Sequence, residues 1–269
     1  MTMSLRPLGR TGMQVTPLGF GAFKIGRNQK IKYPRAYDLP DEQAVGTLLN
    51  SVLDLGINLI DTAPAYGLSE ERIGQTIAHR RGEYLLSTKV GEQFTDGVSE
   101  YRFDERSVRD SIEQSLRRLR TDYLDLVFIH TPADDLTVLT ETDVVPTLKS
   151  LQQAGLIRAV GLSGKTVAAA EHALQWADLL MVEYNALDES HRPIIGRAAE
   201  SDLGVLVKKG LAAGHLPPEQ AIPFVLQTPG VSTLVVGGLC LAHLLENIRL
   251  AERSISALPA ADGHEFTAA

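Results

Sequence analysis

Short apolar runs alternate with longer amphipathic stretches along almost the whole chain. The runs are Leu18–Gly21, Asn58–Asp61, Leu85–Lys89, Leu124–His130, Ala159–Ser163, Leu179–Glu183, Gly204–Val207 and Thr233–Val236. Each has the length of a strand buried on both faces. Between them, apolar positions recur at helical spacing over Asp41–Leu55, Ser69–Ala78, Asp104–Leu119, Thr142–Ala154, Thr166–Gln175, Arg192–Ser201, Pro218–Gln227 and Ala242–Ser254. Eight strand–helix pairs in 269 residues predict a closed (β/α)8 TIM barrel, one domain over 1–269. A doubly wound sheet shows the same alternation, and the count of eight decides for the barrel. Ahead of the first run, Leu5 to Val15 predicts a short N-terminal β-hairpin turning at Gly9-Arg10-Thr11-Gly12. The Ala-, Asp- and Gly-rich tail, 257–269, is expected to fray.

Composition narrows the functional classes. Hydrophobic residues make up 44% of the chain, enough for one large core. A formal net charge of -7 argues against a sequence-independent grip on nucleic acid or on an anionic membrane. The only cysteine, Cys240, excludes an intrachain disulfide framework and points to a reducing cytoplasm. No apolar leader core is visible in Met1 to Gly12, and no unbroken apolar run reaches membrane length. Oligomeric state has no sequence signature here.

In a parallel barrel the C-terminal strand ends and the loops that follow them build the active site. The second run ends in an acid, Asp61, and its loop carries Tyr66; the third ends at Lys89 and the fourth at His130. An acid closing an apolar strand needs a cationic or hydrogen-bonding partner, and Lys89 on the neighbouring strand is the candidate. A phenol titrates near 10, and an adjacent ammonium is expected to draw it down. Asp61 would keep Lys89 charged, and His130 is placed to bind a substrate oxygen or share in proton transfer. The set suits protonation of a carbonyl oxygen as it becomes an alkoxide. Singly, each residue has an ordinary structural explanation: a helix cap, a packed ring, a satisfied hydrogen-bonder. Four on consecutive strands are much harder to attribute to chance.

The strings "GINLIDTAPAYGLSEERIG", "LLSTKVG", "LDLVFIHTP", "GLIRAVGLSG" and "HLLENI" resemble the aldo-keto reductase superfamily over essentially the whole chain. The resemblance implies a (β/α)8 barrel, a nicotinamide cofactor held without a Rossmann fold, and a catalytic tetrad of Asp61, Tyr66, Lys89 and His130. It also implies cofactor contacts. Gly21, Ala22 and Phe23 match residues that pass close to the cofactor, and Ser163 matches a serine that binds the nicotinamide carboxamide. Gly164 replaces a common asparagine, and Glu183 a common glutamine. Glu246 and Asn247 match an acid and an amide at the adenosine end. After the last strand, where many members grip a 2′-phosphate with lysine and arginine, Gly237, Gly238 and His243 stand instead. After the seventh run, Lys208 and Lys209, followed by Gly210 and Leu211, replace a stacking aromatic and a serine. Their ammonium groups are expected to attract a pyrophosphate, with the Lys208 stem covering the ring. NADP(H) is therefore favoured over NAD(H), by a modest margin.

The substrate expected is a small carbonyl compound, a sugar among the options. Phe23, Phe94 and the cationic loop from Lys24 to Pro40, which includes Arg27, Lys30, Lys32 and Arg35, are candidate walls of a relatively open pocket. Other motifs fail on inspection. "SGKT" lacks the first glycine of a phosphate-binding loop, since Ala159 occupies its place, and "GLSGK" ends in Lys165 where a nucleophile elbow needs glycine. Histidines are scattered singly with no H-E-x-x-H, so no metal site is predicted. Two other readings stay open at this level: a nucleotide-binding regulatory subunit on the same barrel with little turnover, and a lyase or isomerase using the same Tyr–Lys pair.

Overall fold

The structure is a computed structural model describing residues 3–31 and 33–256. The expected frayed tail, 257–269, lies outside them. Eight parallel strands close into a barrel: β3 (Leu18–Gly21), β4 (Leu59–Asp61), β5 (Leu85–Val90), β8 (Leu124–His130), β9 (Ile157–Ser163), β10 (Leu179–Glu183), β11 (Gly204–Lys208) and β12 (Thr233–Val236). Closure comes from β12 pairing with β3, with Val236 opposite Phe20. Around it lie α1 (Glu42–Asp54), α2 (Ser69–Ile77), α3 (Glu105–Leu119), α4 (Asp135–Glu141), α5 (Val144–Gln153), α6 (Val167–Ala173), α7 (Arg192–Glu200), α8 (Pro218–Leu226) and α9 (Leu241–Ser256). Among the described residues, no helix is long and apolar enough to cross a membrane.

Strand residues sort strictly by parity. Leu59, Leu126, Phe128, Ala159, Leu179, Met181 and Leu206 fill the barrel interior, while their neighbours Ile60, Val127, Val160, Leu180, Val205 and Val207 pack outward under the helices. Extending the inward parity to the C-terminal end puts Asp61, Lys89, His130, Ser163, Glu183 and Lys208 on the inward face at the mouth above that core, at staggered heights: Asp61 lies opposite Ser87 and Lys89 opposite Phe128. Two pairs are level in register: Glu183 lies opposite Lys208, and His130 opposite Ser163.

The N-terminal hairpin, β1 (Arg6–Pro7) with β2 (Gln14–Val15), closes the opposite end of the barrel. Leu8 and Val15 enter the interior cluster with no exposed surface. Gly9 is required there, because its φ is +54° and a Cβ would stand 2.3 Å from the Gly204 nitrogen.

Two elements depart from the sequence expectation. A second hairpin, β6 (Glu92–Thr95) with β7 (Val98–Tyr101), rises from the end of β5 on an Asp96-Gly97 turn. Both turn residues have positive φ, the type I′ geometry that suits strand twist. The helix expected over Thr142–Ala154 is preceded by the separate α4, because buried Asp135 accepts hydrogen bonds from the Lys165 and Thr166 backbone amides and the Thr166 hydroxyl.

Candidate active site

The segment after β4 is fixed by hydroxyl bridges. Thr62 Oγ1 donates to Ser69 Oγ at 2.8 Å, and Ser69 Oγ donates to the Ala22 carbonyl at 2.9 Å. One chain of bonds thus ties the end of β4, the start of α2 and the first loop together. Tyr66 sits between these anchors on a short 3-10 turn, Pro64–Tyr66.

Below it, Lys89 Nζ donates to both carboxylate oxygens of Asp61 and to the Thr62 carbonyl, each at 2.8 Å. Asp61 also accepts from Ser87 Oγ at 2.7 Å. The ion pair is buried, with side-chain exposures of 2% and 5%. Burial opposes the Lys89 ammonium, but Asp61 and the Tyr66 phenol outweigh it, and the lysine titrates above its ordinary value. The ammonium lies 4.8 Å from the Tyr66 ring centroid. Here the sequence expectation needs correction. Burial pushes the Tyr66 phenol up more than Lys89 draws it down, with Asp61 and Glu92 adding to the rise. Lys89 limits the rise and does not produce a net acidic phenol.

His130 presents its ring edge-on to Tyr66, with centroids 6.3 Å apart. Its Nδ1 is buried 3.0 Å from Glu92 Oε2, within ion-pair range, but the ring N–H does not point at that oxygen and makes no hydrogen bond. Burial holds His130 below the ordinary imidazole value; Glu92 opposes this, while Lys89 and Lys208 add to it. Burial raises Glu92, but His130, Ser99 and Arg27 overcome that and bring it down to about 2. Glu92 was missed in the sequence because its hairpin was; the Asp96-Gly97 turn between alternating positions was the available signal.

The first loop packs against Tyr66. Phe23 meets the Tyr66 ring edge-on at 5.0 Å between centroids, and Tyr33 packs beyond it. The Arg27 guanidinium stacks on Phe94 at 3.2 Å from its centroid and donates to the Ala65 carbonyl, which bolts the loop to the Tyr66 turn.

The expected cofactor positions spread across the far side of the mouth. Gly21, Ala22, Ser163, Gly164, Gly210 and Asn247 are buried; Phe23, Glu183, Lys208, Leu211 and Gly238 are partly exposed; Lys209, Gly237, His243 and Glu246 are exposed. The two lysines do not act alike. Lys208 turns inward, donating to Ser163 Oγ and the Gly164 carbonyl at 2.9 Å each. Lys209 pairs with Glu183. Burial, reinforced by Lys209, Lys89 and Lys165, pushes Lys208 down to about 7 despite Glu183. Beside the segment after β12, a surface groove of about 460 Å³ is lined by Asp41, Gln43, Ala44, Thr47, Leu48, Leu239 and Leu241, with no lysine or arginine among them. No group of metal-ligating side chains is found among the described residues.

Comparison with known proteins agrees with the barrel fold. The profile of the aldo/keto reductase family matches residues 17–221. The crystal structure of a Pseudomonas aeruginosa protein described as an aldo-keto reductase superposes with a TM-score of 0.87 and 43% identity, covering 93% of this chain and 95% of that one. Aldo-keto reductase YhdN of Bacillus subtilis is 30% identical over 80% of this chain, which spans 64% of its length. L-galactose dehydrogenase of Arabidopsis thaliana is 30% identical over 81% of this chain and 69% of its own. The match over most of the barrel, with the acid, phenol, ammonium and imidazole gathered at its mouth, means that this chain belongs to the aldo/keto reductase family of oxidoreductases.

Proposed function

We propose that this chain is an NAD(P)(H)-dependent oxidoreductase that interconverts an aldehyde or ketone with the corresponding alcohol, sugars included, in a reducing cytoplasm. The observation that carries the reading is the Asp61–Lys89 ion pair buried beneath Tyr66, with His130 alongside. A bound nicotinamide supplies or accepts the hydride. Tyr66 gives a proton to the oxygen as the carbonyl is reduced and takes it back in reverse. Lys89, held charged by Asp61, limits the cost of that proton's departure in a buried site. His130 binds the same oxygen, and Phe23 walls the pocket. The sugar option draws on relatives whose names specify sugar dehydrogenases, such as L-galactose dehydrogenase.

The residues present fit a dinucleotide. Lys165, Lys208 and Lys209 cluster near the β9–β11 rim, where they can meet a pyrophosphate, with Glu183, Asp135 and Asp188 as the carboxylates beside them. Ser163 Oγ, Gly164 and Gly210 lie at the same rim, Gly21, Ala22 and Leu211 flank it, and Gly237, Gly238, Glu246 and Asn247 would extend the site towards the adenosine. The groove beside the segment after β12 is lined by Asp41 and by no cation, and by the family resemblance His243 stands where an arginine commonly grips a 2′-phosphate. We therefore assign NADP(H) only a modest preference, about tenfold or 1.4 kcal/mol. A thermal-shift and fluorescence titration with NADPH and NADH tests this reading: both stabilise the protein, NADPH binding about tenfold more tightly. Absence of binding by either one contradicts it. The family's fold and the intact four-residue set disfavour a regulatory subunit with little turnover.

A further inference from the structure

Lys208 holds a desolvated charge that no carboxylate pairs with. Its ammonium group turns into the barrel mouth and donates to two neutral oxygens, Ser163 Oγ and the Gly164 carbonyl, at 2.9 Å each. The neighbouring ammonium groups differ: Lys89 is paired with Asp61, Lys209 with Glu183, and Lys165 is exposed. Lys208 has no ion pair among the described residues. An ammonium taken out of water without a counter-ion costs stability, and this one stands where it acts on both Lys89 and His130.

The carbon that exchanges hydride carries the oxygen held by Tyr66 and His130, so a nicotinamide that reacts with it must reach the same mouth. The oxidised ring is a cation and the reduced ring is neutral. A fixed ammonium in a desolvated site repels the first and not the second. Phosphates and adenosine are common to both forms, so their contacts cancel in a ratio of affinities. We infer that Lys208 discriminates between the redox states of the cofactor: its ammonium group disfavours the cationic oxidised nicotinamide and leaves the neutral reduced one bound more tightly. This role rests on the proposed nicotinamide-dependent reading. It makes the oxidised product of carbonyl reduction the weaker ligand, which favours its release. Burial, reinforced by Lys209, Lys89 and Lys165, brings Lys208 down to about 7, so the discrimination is strongest in acid and fades as the proton leaves. The titratable groups facing Lys208 are Lys209 beside it, Lys89 on β5, His130 on β8, Lys165 after β9, Glu183 on β10 and His191 before α7.

Calorimetric titration of the apoprotein with NADPH and with NADP+ reads this without any turnover. Because the oxidised ring can expel the Lys208 proton, the penalty is limited to about tenfold per pH unit below the lysine's titration. The ratio of the NADP+ to the NADPH dissociation constant in the wild type should therefore be about five- to tenfold larger at about pH 6 than at about pH 9. Lys208→Met keeps an apolar stem without the charge, and should show a small ratio at both pH values. Lys208→Arg, charged throughout, should keep a large ratio at both. A wild-type ratio that is the same at the two pH values overturns the proposal even if neither variant folds, as does a pH dependence retained in folded Lys208→Met. Failure of both cofactor forms to bind removes the nicotinamide reading itself; binding with equal ratios in wild type and Lys208→Met removes only the role of Lys208.

Discussion

Lys89 Nζ stands 2.8 Å from each carboxylate oxygen of Asp61, and the pair is shut away from solvent beneath Tyr66. An acid ends an otherwise apolar strand because the next strand carries, one residue from its end, a lysine that needs it. Each charge is tolerable in that position only with the other.

Asp61→Asn leaves Lys89 buried without a counter-charge and is expected to cost about 3–5 kcal/mol of stability. Lys89→Met strands Asp61 and should cost a similar amount. The double variant should lose much less than the sum, both in stability and in turnover. Chemical denaturation and steady-state rates on the four proteins of this cycle check it; strict additivity would mean that the two side chains do not act as a unit.

Lys208 gives the fold a pH dependence of definite sign. Its folded value is about 7 against an ordinary 10.5, so between those limits the unfolded chain binds a proton that the folded chain has shed. Stability from this group therefore rises with pH across that window and is lowest below it. Thermal melts of wild type and Lys208→Met over pH 6–10, compared as a difference, should show the wild type gaining on the variant as pH rises. A flat or falling difference contradicts the inward, desolvated placement of its ammonium group.

The first loop and the Tyr66 turn are in backbone contact. A Cβ on Gly26 would stand 2.1 Å from the Tyr66 carbonyl oxygen and 2.3 Å from the Ser69 nitrogen. Gly26→Ala should cost about 1–3 kcal/mol and lower turnover by displacing Tyr66. Gly46→Ala on α1, with open space around it, should instead stabilise by about 0.5–1 kcal/mol and leave turnover unchanged. Denaturant midpoints and rates on both variants separate a local strain from a general intolerance of alanine.

Lys209→Ala should weaken NADPH and NADH alike, with the loss shrinking as salt is raised, if its charge reaches the phosphates. The pairing with Glu183 sharpens this: Glu183→Gln frees the ammonium and should tighten both. Fluorescence titrations at two ionic strengths check the pair of variants. Unchanged binding in Lys209→Ala would place the phosphate grip elsewhere.

Much of this site was legible because barrel strands are short, apolar and cut off by polar residues at one end. The runs ending at Asp61, His130, Ser163 and Glu183 terminate in the structure at those residues. What stayed hidden depends on distant packing. The Glu92–Tyr101 hairpin lies inside what reads as a polar connection, although Asp96-Gly97 marks its turn. Asp135 organises α4 and α6 through bonds 30 residues away, which no local pattern encodes. The acidity of Tyr66 reversed the expectation for the same reason: a neighbouring charge can be inferred from strand order, but the depth of burial that opposes it cannot.

The central claim is that Tyr66 handles the substrate proton in a nicotinamide-dependent reaction. Steady-state nicotinamide oxidation with glyceraldehyde, measured for wild type and for Tyr66→Phe shown by thermal melting to be folded and to bind NADPH, tests it most directly. The account predicts measurable turnover in the wild type and a loss of at least about two powers of ten in the variant, with NADPH affinity unchanged. Near wild-type turnover in folded Tyr66→Phe would contradict it.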